Sequence, residues 1–255
     1  MTGVPHLAAA ILLMSAAAGA QERPMIQVEP ATLTARRVLE IQTGFDYRNR
    51  CFLPVAETRT NELIAFDSGI SYGIAETVEV SLFWPMVICD TSRGYVDTGD
   101  VTLSAKFPLH RLLNTSAMAF RTGVKLPETD EKHGLGNDQL EFRADILASW
   151  IRTSYQLHLN AGMLIEDDPT AFAHQNDYMR YGFAFIYNCR KITPLIELSG
   201  RVGPDSPAAG NQHTLLIGLR LAHGVRRYDC GLSDTLARNT HSIGVTVGIS
   251  WQKLI

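Results

Sequence analysis

Hydrophobic and polar residues alternate one by one along most of the chain beyond residue 36. In Arg37 to Arg48, Leu39, Ile41, Thr43, Phe45 and Tyr47 fall on one face, and Glu40, Gln42, Gly44, Asp46 and Arg48 on the other. A helical period would mix these sets; a strand separates them. The same split recurs with Val78, Val80, Leu82, Trp84, Met86 and Ile88, and with Leu140, Phe142, Ala144, Ile146, Ala148 and Trp150. It returns with Met179, Tyr181, Phe183, Phe185 and Tyr187, and with Ile243, Val245, Val247, Ile249 and Trp251. The pattern predicts strands at 37–48, 62–74, 77–88, 99–109, 116–126, 138–150, 154–166, 177–189, 192–202, 213–222, 225–232 and 241–252, about twelve in all.

Most of these runs are near ten residues or longer, the length a tilted membrane-crossing strand needs, whereas strands of soluble domains average about 5–6. Between them, segments 49–61, 89–98, 127–137, 167–176, 203–212 and 233–240 are long and polar. Those near 75–76, 151–153, 190–191 and 223–224 are tight, and 110–115 is intermediate. Long loops alternating with short turns mark a membrane barrel. A soluble β-sandwich would share the alternation. Strand length separates the two, as do Trp84, Trp150, Trp251, Tyr47, Tyr72, Tyr155 and Tyr187 near strand ends on the apolar face, where interfacial aromatic girdles lie.

The start of the chain sets the compartment. Leu7 to Ala18 is apolar but for Ser15, too short for a membrane helix, and Ala18-Gly19-Ala20 is a small-residue cleavage site. The organisation expected is a signal peptide at 1–20, a periplasmic lead-in at 21–36 and a transmembrane barrel at 37–255 in the bacterial outer membrane. Lipid leaves a non-helical chain no other option than a closed barrel. Composition adds little: 23 basic against 26 acidic residues, net charge -3, leave no electrostatic footprint for nucleic acid.

The polar faces are rich in charge. Glu40, Asp46, Asp67, Glu79, Lys106, Arg121, Lys125, Glu141, Arg143, Asp145, Arg180, Glu197, Arg201 and Arg220 are expected to line the lumen, because toward lipid each Arg or Lys would cost about 2–4 kcal/mol at the midplane. Nearly matched signs point to a network of ion pairs, either filling the lumen or bordering a selective path. Four cysteines enter an oxidising compartment; Cys51 and Cys89 open the first two long loops, where a disulfide is as expected as free thiols. Gly69-Ile70-Ser71-Tyr72-Gly73 matches G-x-S-x-G, but it lies inside an alternating strand, not at the strand-to-helix turn a hydrolase needs. His158 lies on a polar face with no evident serine partner. No metal-ligand spacing occurs, so neither metal nor cofactor is expected.

Gly99-Asp100-Val101-Thr102-Leu103 with Lys106, Thr122 to Pro127, Gly134-Leu135-Gly136-Asn137-Asp138, Gly218-Leu219-Arg220-Leu221, Asp229-Cys230-Gly231-Leu232 and Gly244-Val245-Thr246 resemble segments of the outer-membrane proteins of the phenol-degradation meta-pathway. Here Pro127 precedes Glu128-Thr129, where that family has Pro-Thr-Gly. The resemblance implies a barrel that helps hydrophobic compounds cross the outer membrane. The expected function is therefore non-enzymatic: passive passage of small, aromatic or hydrophobic solutes. Such cargo could leave sideways where Pro85 or Pro194 breaks the ladder. The expected partners are outer-membrane lipid, those solutes, and the secretion and barrel-assembly machinery. A non-conducting structural or surface-exposed barrel is the alternative, and a lipid-modifying enzyme the third reading.

Overall fold

The computed structural model describes residues 28–53, 58–112, 115–129, 135, 139–167, 175–189, 192–203, 211–237 and 240–255. The signal peptide expected at 1–20 lies outside the described residues. The strands are β1 (Val38–Leu53), β2 (Thr58–Ala75), β3 (Val78–Asp90), β4 (Tyr95–Asp97), β5 (Val101–Leu112), β6 (Ser116–Leu126), β7 (Glu141–Ile151), β8 (Tyr155–Asp167), β9 (Gln175–Tyr187), β10 (Ile192–Val202), β11 (Gln212–His223), β12 (Arg226–Ala237) and β13 (Thr240–Leu254). Each pairs antiparallel with its sequence neighbours, except that β4 only caps the end of β3, and β5 takes the next place in the wall. β1 pairs with β13 as well as with β2, so twelve strands close into a barrel and no edge is left to lipid.

Alternation sorts the two faces. In β9, Met179, Phe183, Phe185 and Tyr187 point outward, and Tyr178, Ala184 and Ile186 are buried inside. Outside, Trp150, Tyr155, Tyr187, Tyr228 and Trp251 all lie near the tight-turn end and form a girdle there. By the usual asymmetry of such barrels the tight turns are periplasmic and the longer connections extracellular.

An outward charge should therefore be costly. Phe183, mid-strand between outward-facing Leu159 and Leu198, is the place to read it. Phe183→Arg is expected to cost about 2–4 kcal/mol. The heat-modifiable gel shift of the folded barrel should fall with it, and an unchanged shift and urea midpoint would reverse the face assignment.

Strand ends depart from the expected boundaries in a consistent way. β1 and β2 run on to Leu53 and from Thr58, and β12 and β13 to Ala237 and from Thr240, so most of the loops expected at 49–61 and 233–240 is ladder. These extensions do not alternate cleanly, because they stand beyond the lipid belt, where no face must be apolar. Cys51 accordingly opens no loop. It lies within β1 opposite Thr60, is buried, and shares a 3.2 Å contact with the Ser242 hydroxyl. Cys89 pairs with Ile64, four positions further along β2 than the Cys51 partner Thr60, and of the two alternatives, bridge or free thiols, the structure has the four cysteines free. The even positions from Glu40 to Arg48 face inward, but Arg50 has φ 58° and the parity changes there, which turns odd-numbered Cys51 inside.

The lead-in is the main surprise. Its described part, residues 28–35, runs inside the barrel and not below it: Val28, Ala31 and Thr34 are at most 2% exposed. At Arg37, with φ 63°, the chain reverses at the periplasmic rim and starts up the wall as β1. Gly73 permits the passage. A Cβ there would stand 2.2 Å from the Ala35 carbonyl oxygen and 2.5 Å from that of Thr34, so no side chain fits.

Candidate functional site in the barrel lumen

The internal segment is held as an extra extended strand would be, through its backbone, but by side chains of the wall. Lys106 on β5 donates to the carbonyls of Pro30 at 3.1 Å and Thr32 at 3.0 Å. Glu79 on β3 accepts from the Thr34 amide at 2.7 Å. Asn160 on β8 takes both backbone polar groups of Glu29, accepting from its N–H at 2.8 Å and donating to its carbonyl at 2.9 Å. The Ala31 amide donates to Ser149 Oγ at 2.8 Å, which lies 2.8 Å from His158 Nδ1. A hydroxyl that already accepts from an amide has its own proton left for the ring nitrogen. The Glu29 carboxylate pairs with Arg121 and lies 3.9 Å from Lys106. Ala31 also packs with Ala119 and Leu147.

Of the residues expected to line the lumen, Glu40, Glu79, Lys106, Arg121, Asp145, Glu197 and Arg220 are buried, on the face opposite the exposed apolar side chains. Ion pairs form on this face. Glu40 receives Arg227 at 3.0 Å and Gln252 at 2.9 Å, and Arg220 meets Asp229 at 2.7 Å. Asp46 pairs with Arg48 at 2.6 Å. Lys125 lies 3.3 Å from Glu141 and 3.5 Å from Asp100. Arg180 reaches Asp145 at 3.3 Å, and Arg201 meets Glu166 at 3.6 Å while stacking on Tyr178 at 4.6 Å. Asp67 is half-buried on the same face of β2 as Ser71 and Gly69. Arg143 is half-buried on the inner face of β7, with no charged partner among the described residues. Ser71 sits mid-strand opposite Glu40, so the G-x-S-x-G run makes no nucleophile elbow.

Of the residues that hold the segment, Lys106, Glu79 and Arg121 stand among those expected to face the lumen, whereas Ser149 and Asn160 do not. Ser149 and Asn160 are ordinary polar positions of alternating strands, and the Ser149–His158 pair, not evident from the sequence, comes from the β7–β8 register that sets the two opposite each other. That pair is fully buried against Ala31 and serves to seat the segment. On the loop side of the segment lies a cavity of about 440 Å³, lined among others by Arg48, Arg121, Arg143, Arg180 and Arg201.

A closed antiparallel barrel with an apolar, aromatic-girdled outside and a charged inside belongs in one environment: the chain is an outer-membrane β-barrel of bacteria. Neither a family model nor a curated protein sequence matches it. Solved structures do match in fold. The COG4313 outer membrane channel from Pseudomonas putida F1 aligns over 87% of this chain and 97% of its own, with TM-score 0.62 and 10% identity. The NanC porin aligns over 84% of this chain and 98% of its own, with TM-score 0.59 and 8% identity. The KdgM porin aligns over 83% and 98%, with TM-score 0.55 and 9% identity. These neighbours are channels and porins, and at such identity the likeness is one of fold.

Proposed function

We propose that this barrel is a passive outer-membrane channel for small compounds, aromatic or hydrophobic ones among them, which leave the lumen sideways through the wall. The supporting observation is the seam between β3 and β5. Its ladder runs only from Glu79–Lys106 to Phe83–Thr102, whereas β3 itself continues seven residues further, to Asp90. Pro85 stands just past the last pair, where it has no N–H to offer a neighbour. A bulge at Phe66/Asp67 marks the other side of β3 at the same height. Beyond Phe83 the edge is met by the Gly99 N–H, which donates to the Pro85 carbonyl at 2.6 Å, and by the short β4, which pairs with Ile88 to Asp90. An apolar solute stopped above the internal segment has this weak seam as its way into lipid. The sequence resemblance to the phenol meta-pathway proteins supports the aromatic part of the reading. The partners that follow are outer-membrane lipid, the solutes, and the export and barrel-assembly machinery.

A cysteine pair tests the route. Continuing the register puts Trp84 opposite Val101, so Trp84→Cys with Val101→Cys, in a background with the native cysteines replaced by serine, should bridge the seam. Oxidation is expected to cut toluene uptake by cells at least fivefold and reduction to restore it, with ion conductance unchanged. Full uptake through a completely bridged seam would refute lateral exit. Equal uptake by cells lacking the protein would favour the second reading, a non-conducting barrel, for which the internal segment is the supporting feature.

A further inference from the structure

The cavity above the internal segment is lined by more cations than carboxylates, although Arg48, Arg121 and Arg201 meet Asp46, Glu29 and Glu166 just outside its lining. Five arginines line it, Arg48, Arg121, Arg143, Arg180 and Arg201, against two carboxylates, Glu141 and Asp145. Both carboxylates are engaged, Glu141 by Lys125 at 3.3 Å and Asp145 by Arg180 at 3.3 Å. Arg143 has no such partner among the described residues, and its Nε is buried without a hydrogen bond. Arg201 Nε is likewise buried and unmatched, although its terminal nitrogen meets Glu166. A guanidinium N–H withdrawn from water and left unmatched is costly. Such a cost is offset when an oxyanion arrives to accept from it, and a planar carboxylate can take two of its N–H groups at once.

Arg143 is placed for that task by its neighbour. It pairs with Gly123 on β6, and a Cβ on Gly123 would stand 2.9 Å from Arg143 Nε and 3.0 Å from the Leu103 carbonyl. The side chain therefore lies along the wall in the trough left by the glycine. Beside these cations stand Leu147 and Leu164, both buried on the inner face. A cavity of about 440 Å³ is within the range that holds small organic ligands.

We propose that this cavity is a binding site for small organic monocarboxylates with an apolar body, aromatic carboxylates such as benzoate being the right shape. The carboxylate sits on Arg143, and the ring rests toward Leu147 and Leu164. The proposal deepens the channel reading, on which it rests, by assigning the acidic members of an aromatic solute class to this end of the lumen. It is tested without any flux measurement, so failure of transport and failure of binding are told apart.

The experiment is equilibrium binding of radiolabelled benzoate to the purified, folded full-length protein at low ionic strength. Benzamide, nearly the same shape but neutral, serves as competitor. Saturable benzoate binding is expected, with benzamide at least tenfold weaker as a competitor. Arg143→Gln, which keeps length but removes charge, should lower affinity about tenfold or more, and Arg143→Lys should recover part of it. Should Arg143→Gln fail to fold by its gel shift, Arg143→Lys against wild type, with 0.5 M sodium chloride as a second arm, decides alone: both must weaken binding. Equal affinity for benzamide, or binding unchanged in a folded Arg143→Gln protein, overturns the proposal. So does benzoate binding that emerges only after residues 21–27 are removed, since the native protein would then have no open site.

Discussion

Removal of residues 21–35, joining the exported chain to Arg36, is expected to raise single-channel conductance at least fivefold while the barrel still folds. The described residues 28–35 occupy the lumen along the wall formed by β3, β5, β6, β7 and β8, which grip them, so their volume is taken from the axial path. A twelve-stranded barrel is wider than one whose interior side chains just fill it, and without the segment the centre becomes water. Planar-bilayer recording in potassium chloride reads the change, and circular dichroism and the heat-modifiable gel shift confirm the fold. A folded, truncated protein with unaltered conductance would show that the ion path bypasses the segment. The arginine-lined cavity makes a companion prediction. Arg143→Ala with Arg180→Ala should move reversal potentials in a salt gradient toward cation preference, since two fixed positive charges leave a wall whose carboxylates remain. A reversal potential that does not move would place these residues outside the ion path.

The second large effect concerns stability. Lys106 is 1% exposed, and its ammonium serves two backbone carbonyls and stands 3.7 Å from Glu79, itself fully buried. Lys106→Met leaves that carboxylate without its cation, and removing one partner of a buried pair costs about 3–5 kcal/mol. The expected result is a lowered urea midpoint in lipid vesicles. Lys106→Met with Glu79→Gln should be markedly more stable than the single variant, because the double variant removes both charges of the pair and leaves no Glu79 carboxylate to bury without its cation. If the single variant matched wild type, water would have to reach Glu79 in the native barrel, contrary to its complete burial.

Much of the wall was legible in the chain because lipid imposes a strict rule. Phe183 and Ala184 differ in face by one residue, and a bilayer tolerates no exchange of such positions. Where lipid stops, the rule lapses. At the outer ends of β1, β2, β12 and β13 the apolar-polar alternation lapses, so Asn49 to Leu53 and Ser233 to Ala237 read as loop although each pairs with a neighbour. Cys51 shows a second limit: one residue of positive φ at Arg50 reverses which face it joins, and no composition signal announces it. The charged inward positions are drawn from the same alternation, and Glu40, Glu79, Lys106, Arg121, Asp145, Glu197 and Arg220 among them are buried. Their assembly around residues 28–35 does not follow from it. That segment has no periodicity, is broken by Pro30, and finds its partners on five different strands.

Arg37, the residue from which the internal segment departs, is bonded on two sides. Its N–H donates to the Gly73 carbonyl on β2 at 2.8 Å, and its own carbonyl accepts from the N–H of Ile255, the last residue of the chain, at 2.8 Å. The first and last strands of the ring thus meet at the root of the segment. Seating the segment and shutting the β1–β13 seam are thermodynamically linked, and linkage is reciprocal. Whatever loosens that seam, including loss of the final residues, lowers the work needed to withdraw the segment. Whatever withdraws the segment lowers the protection of β1 and β13 amides against hydrogen exchange by the same free energy.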